Sequence, residues 1–346
     1  MPECSWRCWG IRSSIHHRCA DGKALNRSER QFVEQLRRQA SRHAPRGRGA
    51  LVLKRGIGDD CAVIAGARGA AHDLLVTTDL LLEGIHFRRQ WQPADSVGYK
   101  TLARGLSDIA AMGGDPRFAF LSLGLPRGIA SRWVDEFFAG FFRLAGQTNV
   151  VLAGGDTAAS RSGVLADIIV IGEVPRGKAV LRSGARAGHQ IWVSGKLGGA
   201  AGALDLVRKG RRDAEDRTAL RPLFYPKARL ALGRELRRRG LASAMMDLSD
   251  GLSIDLARLC EASGVGARVQ EGAVPRRRET PLRMALHGGE DFELLFTVPA
   301  AKSGRVPTRV GGVPLTRIGE IVKGSALLLV RKNQEVPLPI RGFQHF

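Results

Sequence analysis

Five short acidic motifs, each beside glycine or a small hydroxyl residue, recur along this chain of 346 residues. They are Gly-Asp-Asp at 58–60, Thr-Thr-Asp at 77–79, Ser-Asp at 107–108, Gly-Gly-Asp-Thr at 154–157 and Asp-Leu-Ser-Asp-Gly at 247–251. Several of them are predicted at points where a strand or helix meets a loop. Clustered carboxylates without cysteine or histidine partners suit a hard cation such as Mg²⁺, which is commonly shared with phosphate oxygens. The pattern therefore predicts phosphate chemistry assisted by metal ions.

The charge balance makes these carboxylates more informative, because the chain has 54 Lys and Arg against 33 Asp and Glu, a net charge of +21. Such a charge is also typical of proteins that bind nucleic acid. Here the arginines are scattered, and the aromatic residues that would stack on bases make up only 6% of the chain. We therefore interpret the charge as a solvated surface and expect no specific nucleic-acid partner.

The five cysteines form no disulfide framework, and their odd number favours reduced thiols and a cytoplasmic location. Three of them, with two histidines, lie in residues 1–28, where their spacing matches no familiar zinc site. That segment also lacks the apolar stretch of a secretion signal, so we expect a flexible N-terminal extension. No apolar run is long enough to span a membrane, and no membrane partner is expected.

The hydrophobic pattern predicts a mixed α/β chain of two domains, because strands and helices interleave without a regular βαβ rhythm. A turn-rich stretch at 175–178 predicts a boundary between a domain over 29–177 and a domain over 178–346. Within them we predict a helix over 96–113, a strand over 74–78 that ends on Asp79, and a strand over 150–153 that ends before Gly154. A helix over 249–263 is predicted to begin at a Ser/Asp cap.

Common nucleotide-binding and hydrolase motifs are excluded. Residues 172–178 have the glycine and lysine spacing of a P-loop, but Ala179 stands where a hydroxyl ligand is required. No G-x-G-x-x-G motif follows a predicted strand, and no G-x-S-x-G elbow is present.

The acidic motifs belong to a longer ordered set. It comprises 56–64 (Gly-Ile-Gly-Asp-Asp-Cys-Ala-Val-Ile), 77–87 (Thr-Thr-Asp-Leu-Leu-Leu-Glu-Gly-Ile-His-Phe), 106–113 (Leu-Ser-Asp-Ile-Ala-Ala-Met-Gly), 154–157 (Gly-Gly-Asp-Thr), 181–185 (Leu-Arg-Ser-Gly-Ala), 247–252 (Asp-Leu-Ser-Asp-Gly-Leu) and 288–294 (Gly-Gly-Glu-Asp-Phe-Glu-Leu). In sequence and order the set resembles the thiamine-monophosphate kinase family, from about residue 29 to Phe346. A single motif would indicate only the wider aminoimidazole ribonucleotide synthetase-like superfamily.

The resemblance implies the two-domain fold of that superfamily, with the N-terminal domains of a homodimer forming a shared barrel. It also implies ATP-dependent phosphorylation of thiamine monophosphate to thiamine diphosphate by direct transfer, with several Mg²⁺ ions. No residue is required as a general base, because the accepting phosphate oxygen is already anionic near neutral pH.

The resemblance also implies roles for individual residues. The implied metal ligands are Asp60, Thr77, Thr78, Asp79, Asp108, Asp156, Asp247 and Asp250, with Asp59 as a further candidate. The implied ATP contacts are Gly155, Asp156, Arg182 and Ser249, and the implied thiamine monophosphate contacts are His86, Glu290 and Phe343. Two structural interpretations stay open, namely a hydrogen-bonded core role for His86 and simple packing of the tail by Phe343.

Other ATP-dependent enzymes of the superfamily are the nearest alternatives. A hydrogenase maturation factor ends in a functional cysteine, whereas this sequence ends in Phe-Gln-His-Phe. A selenophosphate synthetase carries a reactive cysteine or selenocysteine in a glycine-rich N-terminal segment, a setting that the N-terminal cysteines lack. A basic nucleic-acid-binding protein would account for the charge but not for the ordered acidic motifs.

Overall fold

The computed structural model describes residues 28–43, 51–211, 217–277 and 279–345. The predicted N-terminal extension, apart from Ser28, lies outside the described residues, as do three of the cysteines. Within these ranges, helices and strands are arranged around two separate sheets. The predicted mixed α/β class is confirmed.

The first sheet is formed by the strands of the N-terminal half. The elements of this half are α1 (Glu29–His43), β1 (Val52–Arg55), β2 (Ala62–Ala65), β3 (His72–Leu82), α2 (Ala94–Ala111), β4 (Asp115–Pro126), α3 (Ser131–Thr148), β5 (Val151–Ser160) and β6 (Leu165–Pro175). Its strand order is β1-β2-β3-β6-β4-β5. Every neighbouring pair is antiparallel except β4 and β5, which are parallel.

The second sheet belongs to the C-terminal half. The elements of this half are β7 (Gln190–Ser194), α4 (Gly199–Arg208), α5 (Arg217–Phe224), α6 (Leu230–Arg238), β8 (Ala244–Asp247), α7 (Leu252–Ser263), β9 (Gly266–Gln270), α8 (Leu282–His287), β10 (Leu294–Val298), β11 (Arg309–Val310), β12 (Val313–Val322), β13 (Leu327–Arg331) and β14 (Gln334–Pro337). Its order is β14-β13-β9-β12-β7-β10-β8, with β11 paired to β12. Among the described strands of this second sheet, only β9 and β13 pair in parallel.

Helix α2 is the central helix of the molecule. Its buried side chains, among them Leu102, Leu106 and Ile109, pack against one face of the first sheet. Helix α3 crosses it closely, with Phe137 and Phe141 fully buried in the same core. Ala110 and Ala111, near the C-terminal end of α2, join a second cluster with Met245 of β8. The helix therefore connects the N-terminal sheet to the C-terminal half.

Two predicted strand ends and one helix start are wrong. Strand β3 continues past Asp79 to Leu82, and β5 runs from Val151 through the whole Gly-Gly-Asp-Thr motif to Ser160. Both strands are held by ladder hydrogen bonds to neighbouring strands, which local sequence does not reveal. Helix α7 begins at Leu252, and its N-cap residue is Gly251, which has no side chain to cap the first turn.

None of the described helices combines the length and apolar character needed to cross a membrane.

Candidate active site

A cavity of about 560 Å³ brings both halves of the chain together. Its walls come from the end of β3 and the following loop, from α2 and α4, from the loops after β8 and α8, and from the C-terminal segment. The predicted site residues in its lining are Asp79, His86, Asp108, Asp247, Ser249, Asp250, Glu290 and Phe343. Residues spread over more than 260 positions of sequence therefore face one space.

Three carboxylates form a compact cluster at one end of this cavity, where Asp108 and Asp247 line the wall and Asp60 lies behind them, outside the lining. Asp60, Asp108 and Asp247 each offer an oxygen, and these oxygens lie within 4.8 Å of one another. Asp60 precedes β2, Asp108 lies in α2, and Asp247 ends β8. The hydroxyl of Thr77 donates to Asp108 at 2.5 Å, and that of Ser107 donates to Asp247 at 2.7 Å. The cluster offers only oxygen atoms, the donor type that Mg²⁺ prefers.

The cluster is electrostatically strained without a cation. Burial, and next the charges of neighbouring carboxylates, hold the pKa values of Asp108 and Asp247 well above the ordinary aspartate value. The guanidinium of Arg182 provides partial compensation, because it donates to both oxygens of Asp60 at 2.8 and 3.3 Å. The backbone N–H of Arg182 also donates to Asp59 at 3.0 Å, and burial raises the pKa of Asp59 to about 6.

Asp79 and Asp250 lie beside this cluster, and each forms an ion pair with an arginine. Arg104 donates to Asp79, and Arg258 donates to Asp250, both at 2.5 Å. The loop that carries Asp250 is fixed by Asp255, whose carboxylate accepts the backbone N–H groups of Asp250 and Gly251 at 3.1 and 3.0 Å. The carboxylate that organises the start of α7 thus comes from inside the helix.

An aromatic group lines the other end of the cavity. The ring of His86 lies 5.9 Å from that of Phe343 and 5.2 Å from that of His345. The Nδ1 atom of His86 accepts the backbone N–H of Leu82 at 3.0 Å, which leaves the proton of the neutral ring on Nε2. Burial, followed by the charges of Arg104 and Lys100, lowers the pKa of His86 to about 3. His86 is therefore a neutral ring at the pH of an ordinary cell.

Glu290 lines the cavity from a strained loop between α8 and β10. Its φ of 65° is in the left-handed region, as is the φ of 49° at Phe292. The strain is offset by the burial of the Phe292 side chain and by two backbone bonds, from Glu290 to Ser249 and from Phe292 to Leu248. The carboxylate of Glu290 accepts a hydrogen bond from the fully buried Lys100 at 2.6 Å.

The remaining acidic residues of the Gly-Gly-Glu-Asp-Phe-Glu-Leu motif hold its surroundings together. Asp291 accepts the backbone N–H groups of Gly198 and Ala200 at the start of α4. Glu293 accepts from Ser194 of β7 and from Arg229. Of the three acidic residues of the motif, Glu290 therefore lines the cavity, whereas Asp291 and Glu293 bind the elements around it.

Asp291 gives a testable pH dependence of stability. Burial raises its pKa to about 7 from a model-peptide value of 3.8, although the N–H groups of α4 oppose the shift. The folded state then binds this proton more tightly than the unfolded chain, so the free energy of unfolding falls as the pH rises from about 4 to about 7. We expect Asp291→Asn to remove this contribution, so that denaturant unfolding at pH 5 and pH 8 differs less in the variant than in the wild type. Asp205→Asn, at an exposed carboxylate paired with Lys209, is the control, and an unchanged pH dependence in Asp291→Asn would contradict the assignment.

Comparison with known proteins shows to which family a chain with this geometry belongs. Residues 58–174 match the family model described as AIR synthase related protein, N-terminal domain, and residues 186–330 match the C-terminal domain of the same description. A thiamine-monophosphate kinase of Salmonella typhimurium (strain LT2) is 37% identical over 310 residues, which cover 86% of this chain and 93% of the relative. The chain belongs to the thiamine-monophosphate kinase family.

Solved structures of this kinase family have the same architecture. The structure described as AaThiL complexed with AMPPCP and TMP superposes with a TM-score of 0.79 at 28% identity, covering 92% of this chain and 97% of that one. A thiamine-monophosphate kinase from Stenotrophomonas maltophilia K279a gives 0.70 at 36% identity, covering 86% and 95%. The two-domain fold of the kinase family is therefore shared over most of the chain.

Some residues implied by the kinase family lie away from the cavity. Because alternate strand residues face opposite sides of a sheet, Thr77 faces α2 whereas Thr78 is exposed on the other face, which we call the outer face. There Thr78 donates to Asp167, and Asp167 aligns through Ser122 with Asp156 of β5. Strand β5 is three strands from β3, about 14 Å away. Within one chain, Thr78, Gly155 and Asp156 are thus not brought to the carboxylate cluster.

Several residues that contact the predicted kinase site were not identified from the sequence. They are Lys100, Arg104 and Arg258, while Ser107 was identified only as the hydroxyl neighbour of Asp108. Lys100 and Arg104 precede Asp108 by eight and four positions, so they share one face of α2. The spacing of four residues was therefore the sequence feature from which Lys100 and Arg104 could have been predicted to lie near Asp108.

Proposed function

We propose that this chain catalyses the ATP-dependent phosphorylation of thiamine monophosphate to thiamine diphosphate. The observation that carries the proposal is a single cavity with a carboxylate cluster at one end and an aromatic group beside Glu290 at the other. Family membership supports it, as do the AMPPCP and TMP named for the AaThiL structure. In the reaction the bond between the β and γ phosphates of ATP breaks, and a phosphate oxygen of the acceptor bonds to the γ phosphorus.

Mg²⁺ fits the carboxylate cluster by its chemistry. The donors are hard oxygens, and burial, together with the like charges of neighbouring carboxylates, raises the pKa values of Asp108 and Asp247. The proposed ligands are Asp60, Thr77, Asp79, Asp108, Asp247 and Asp250. When bound, Mg²⁺ would neutralise charge on the phosphate oxygens. Thr78 and Asp156 remain ligands predicted from the family motifs alone.

The side chains around the cluster would bind and orient the two substrates. Arg182, now paired with Asp60, has a guanidinium suited to a phosphate of ATP. Ser249 lines the cavity next to the cluster, while Gly155 and Asp156 are predicted ATP contacts on β5. At the far end, Phe343 and His86 would contact the thiamine ring and Glu290 would hold its polar or cationic part. Positioning and charge compensation suffice, because the accepting phosphate oxygen is already anionic and no general base is needed.

A homodimer is part of this proposal, and the outer face of the first sheet supports it. Leu80 and Phe118 are 46% and 47% exposed on that face, and Val151 at the edge strand β5 is 56% exposed. Large exposed apolar side chains grouped on one sheet mark interaction surfaces. A second copy of the first sheet is the partner that the family resemblance implies.

The domain limits and the location of the protein are also proposals. We infer domains over 29–177 and 178–346, and the interval between the two matched family regions, 175–185, supports that boundary. The buried free thiols of Cys61 and Cys260 are in keeping with a reducing compartment such as the cytoplasm.

The proposal is tested by incubating the purified protein with thiamine monophosphate, Mg²⁺ and ATP. We expect thiamine diphosphate and ADP in equal amounts, measured by chromatography, and no diphosphate when ATP or Mg²⁺ is omitted. Thiamine in place of its monophosphate is the matched control. Release of orthophosphate without thiamine diphosphate would contradict the proposal and would favour another reaction of the superfamily.

A further inference from the structure

One arginine in the cavity, Arg104, is almost fully enclosed by protein. Arg104 lies on α2, one turn before Asp108 and one turn after Lys100, and it lines the cavity. Its side chain is only 13% exposed. A buried guanidinium is costly unless its five N–H donors find acceptors.

The contacts of Arg104 use only part of its hydrogen-bonding capacity. One terminal nitrogen donates to Asp79 at 2.5 Å, and the other reaches Glu290 at 3.4 Å. Its Nε is buried and has no hydrogen-bond partner among the described residues. An unpaired buried donor of this kind is most readily satisfied by an anion that enters the cavity.

The position of Arg104 identifies which anion it would meet. Asp79 belongs to the proposed metal ligands, and Glu290 belongs to the proposed contacts of the thiamine moiety. The guanidinium bridges these two carboxylates, so it lies between the end of the cavity that would hold ATP and the end that would hold the ring. The group expected between them is the phosphate of the acceptor.

We propose that Arg104 binds the phosphate group of the acceptor and so makes the site select thiamine monophosphate over thiamine. This inference rests on the proposed function. The planar fork of arginine matches two phosphate oxygens, which a lysine binds only as a point charge. Lys100 has a different role, because it is fully buried behind Glu290 and lies outside the cavity lining, where it fixes the carboxylate of Glu290.

The test is a binding measurement that requires no turnover. Titration calorimetry would compare thiamine monophosphate with thiamine for the wild type and for Arg104→Gln, with Mg²⁺ and without ATP. We expect Arg104→Gln to weaken binding of the monophosphate by about 10- to 100-fold, the usual effect of losing a charge-assisted hydrogen bond, and to change thiamine binding by less than about threefold. Arg117→Gln removes another arginine–carboxylate pair, Arg117–Glu173, at an exposed site, and should alter neither affinity.

A conservative variant keeps the test decisive if Arg104→Gln does not fold. Arg104→Lys retains the charge without the fork and should lose several-fold in affinity for the monophosphate alone. Equal losses for both compounds would mean that Arg104 only holds Asp79 and Glu290 in place, and this would overturn the inference. If Arg104→Gln keeps the wild-type preference for thiamine monophosphate over thiamine, and the wild type forms thiamine diphosphate, the inference is overturned while the proposed function stands. A wild type that binds neither compound would overturn both.

Discussion

Asp247→Asn is expected to reduce formation of thiamine diphosphate by about 10³-fold and, at the same time, to raise the thermal stability of the Mg²⁺-free protein. The activity falls because one of three converging carboxylates no longer carries the charge that a divalent cation requires. The stability rises because burial and like charges disfavour the ionised form of Asp247 in the folded state. Ser107 keeps an oxygen acceptor in the variant, so the local hydrogen bond survives.

Thermal unfolding with and without Mg²⁺, together with the product assay, measures both effects. The wild type should gain stability from Mg²⁺, and Asp247→Asn should gain much less. Asp205→Asn, whose exposed carboxylate pairs with Lys209 on the surface of α4, should match the wild type in every measurement. Full activity of Asp247→Asn at saturating Mg²⁺ would exclude the cluster as the metal site.

Gly140→Ala is expected to lower the free energy of unfolding by about 3 kcal/mol, because the helices α2 and α3 touch backbone to backbone at this residue. A Cβ atom on Gly140 would lie 1.7 Å from the carbonyl oxygen of Asp95. The contact is reciprocal, since a Cβ on Gly98 of α2 would lie 1.8 Å from the carbonyl oxygen of Phe137. Neither backbone oxygen can rotate away, so the helices must separate, and overpacking of this kind costs about 1–3 kcal/mol or more.

The same helix provides the control for this prediction. Gly146 of α3 is exposed, and a Cβ there would meet nothing within 4 Å. Gly146→Ala should therefore raise stability by about 0.5–1 kcal/mol through helix propensity. Denaturant unfolding of both variants gives the comparison. Equal effects of the two substitutions would show that α2 and α3 do not approach as closely as described. Because α2 holds Arg104 and Asp108, Gly140→Ala should also lower activity.

The family and the fold class of this protein could be predicted from its sequence. The resemblance to the kinase family rested on the ordered motifs, and the comparisons confirm it. The mixed α/β class followed from the hydrophobic pattern and is also confirmed. Both are properties of local sequence, which is why the chain alone reveals them.

The limits of β3 and β5 could not be predicted in the same way. Glycine and aspartate are poor strand formers, so Gly-Gly-Asp-Thr indicated a loop, yet pairing with β4 extends β5 through the motif to Ser160. That extension places Asp156 on the outer face of the sheet. The alternation of strand residues likewise separates the hydroxyl of Thr78 from that of Thr77. Pairing between distant strands decides these positions.

The sequence by itself determined which residues carry charge, that helices and strands interleave in a mixed α/β chain, and to which family the chain belongs, because these follow from residue type and order. Only the tertiary structure decided that Asp60, Asp108 and Asp247 converge and that Lys100 and Arg104 both donate to Glu290. It also decided that Asp156 lies on the outer face of the first sheet, away from this cluster. Distances between residues far apart in the chain are set by the packing of α2 between the two halves and by strand register. Neither is encoded in any single motif.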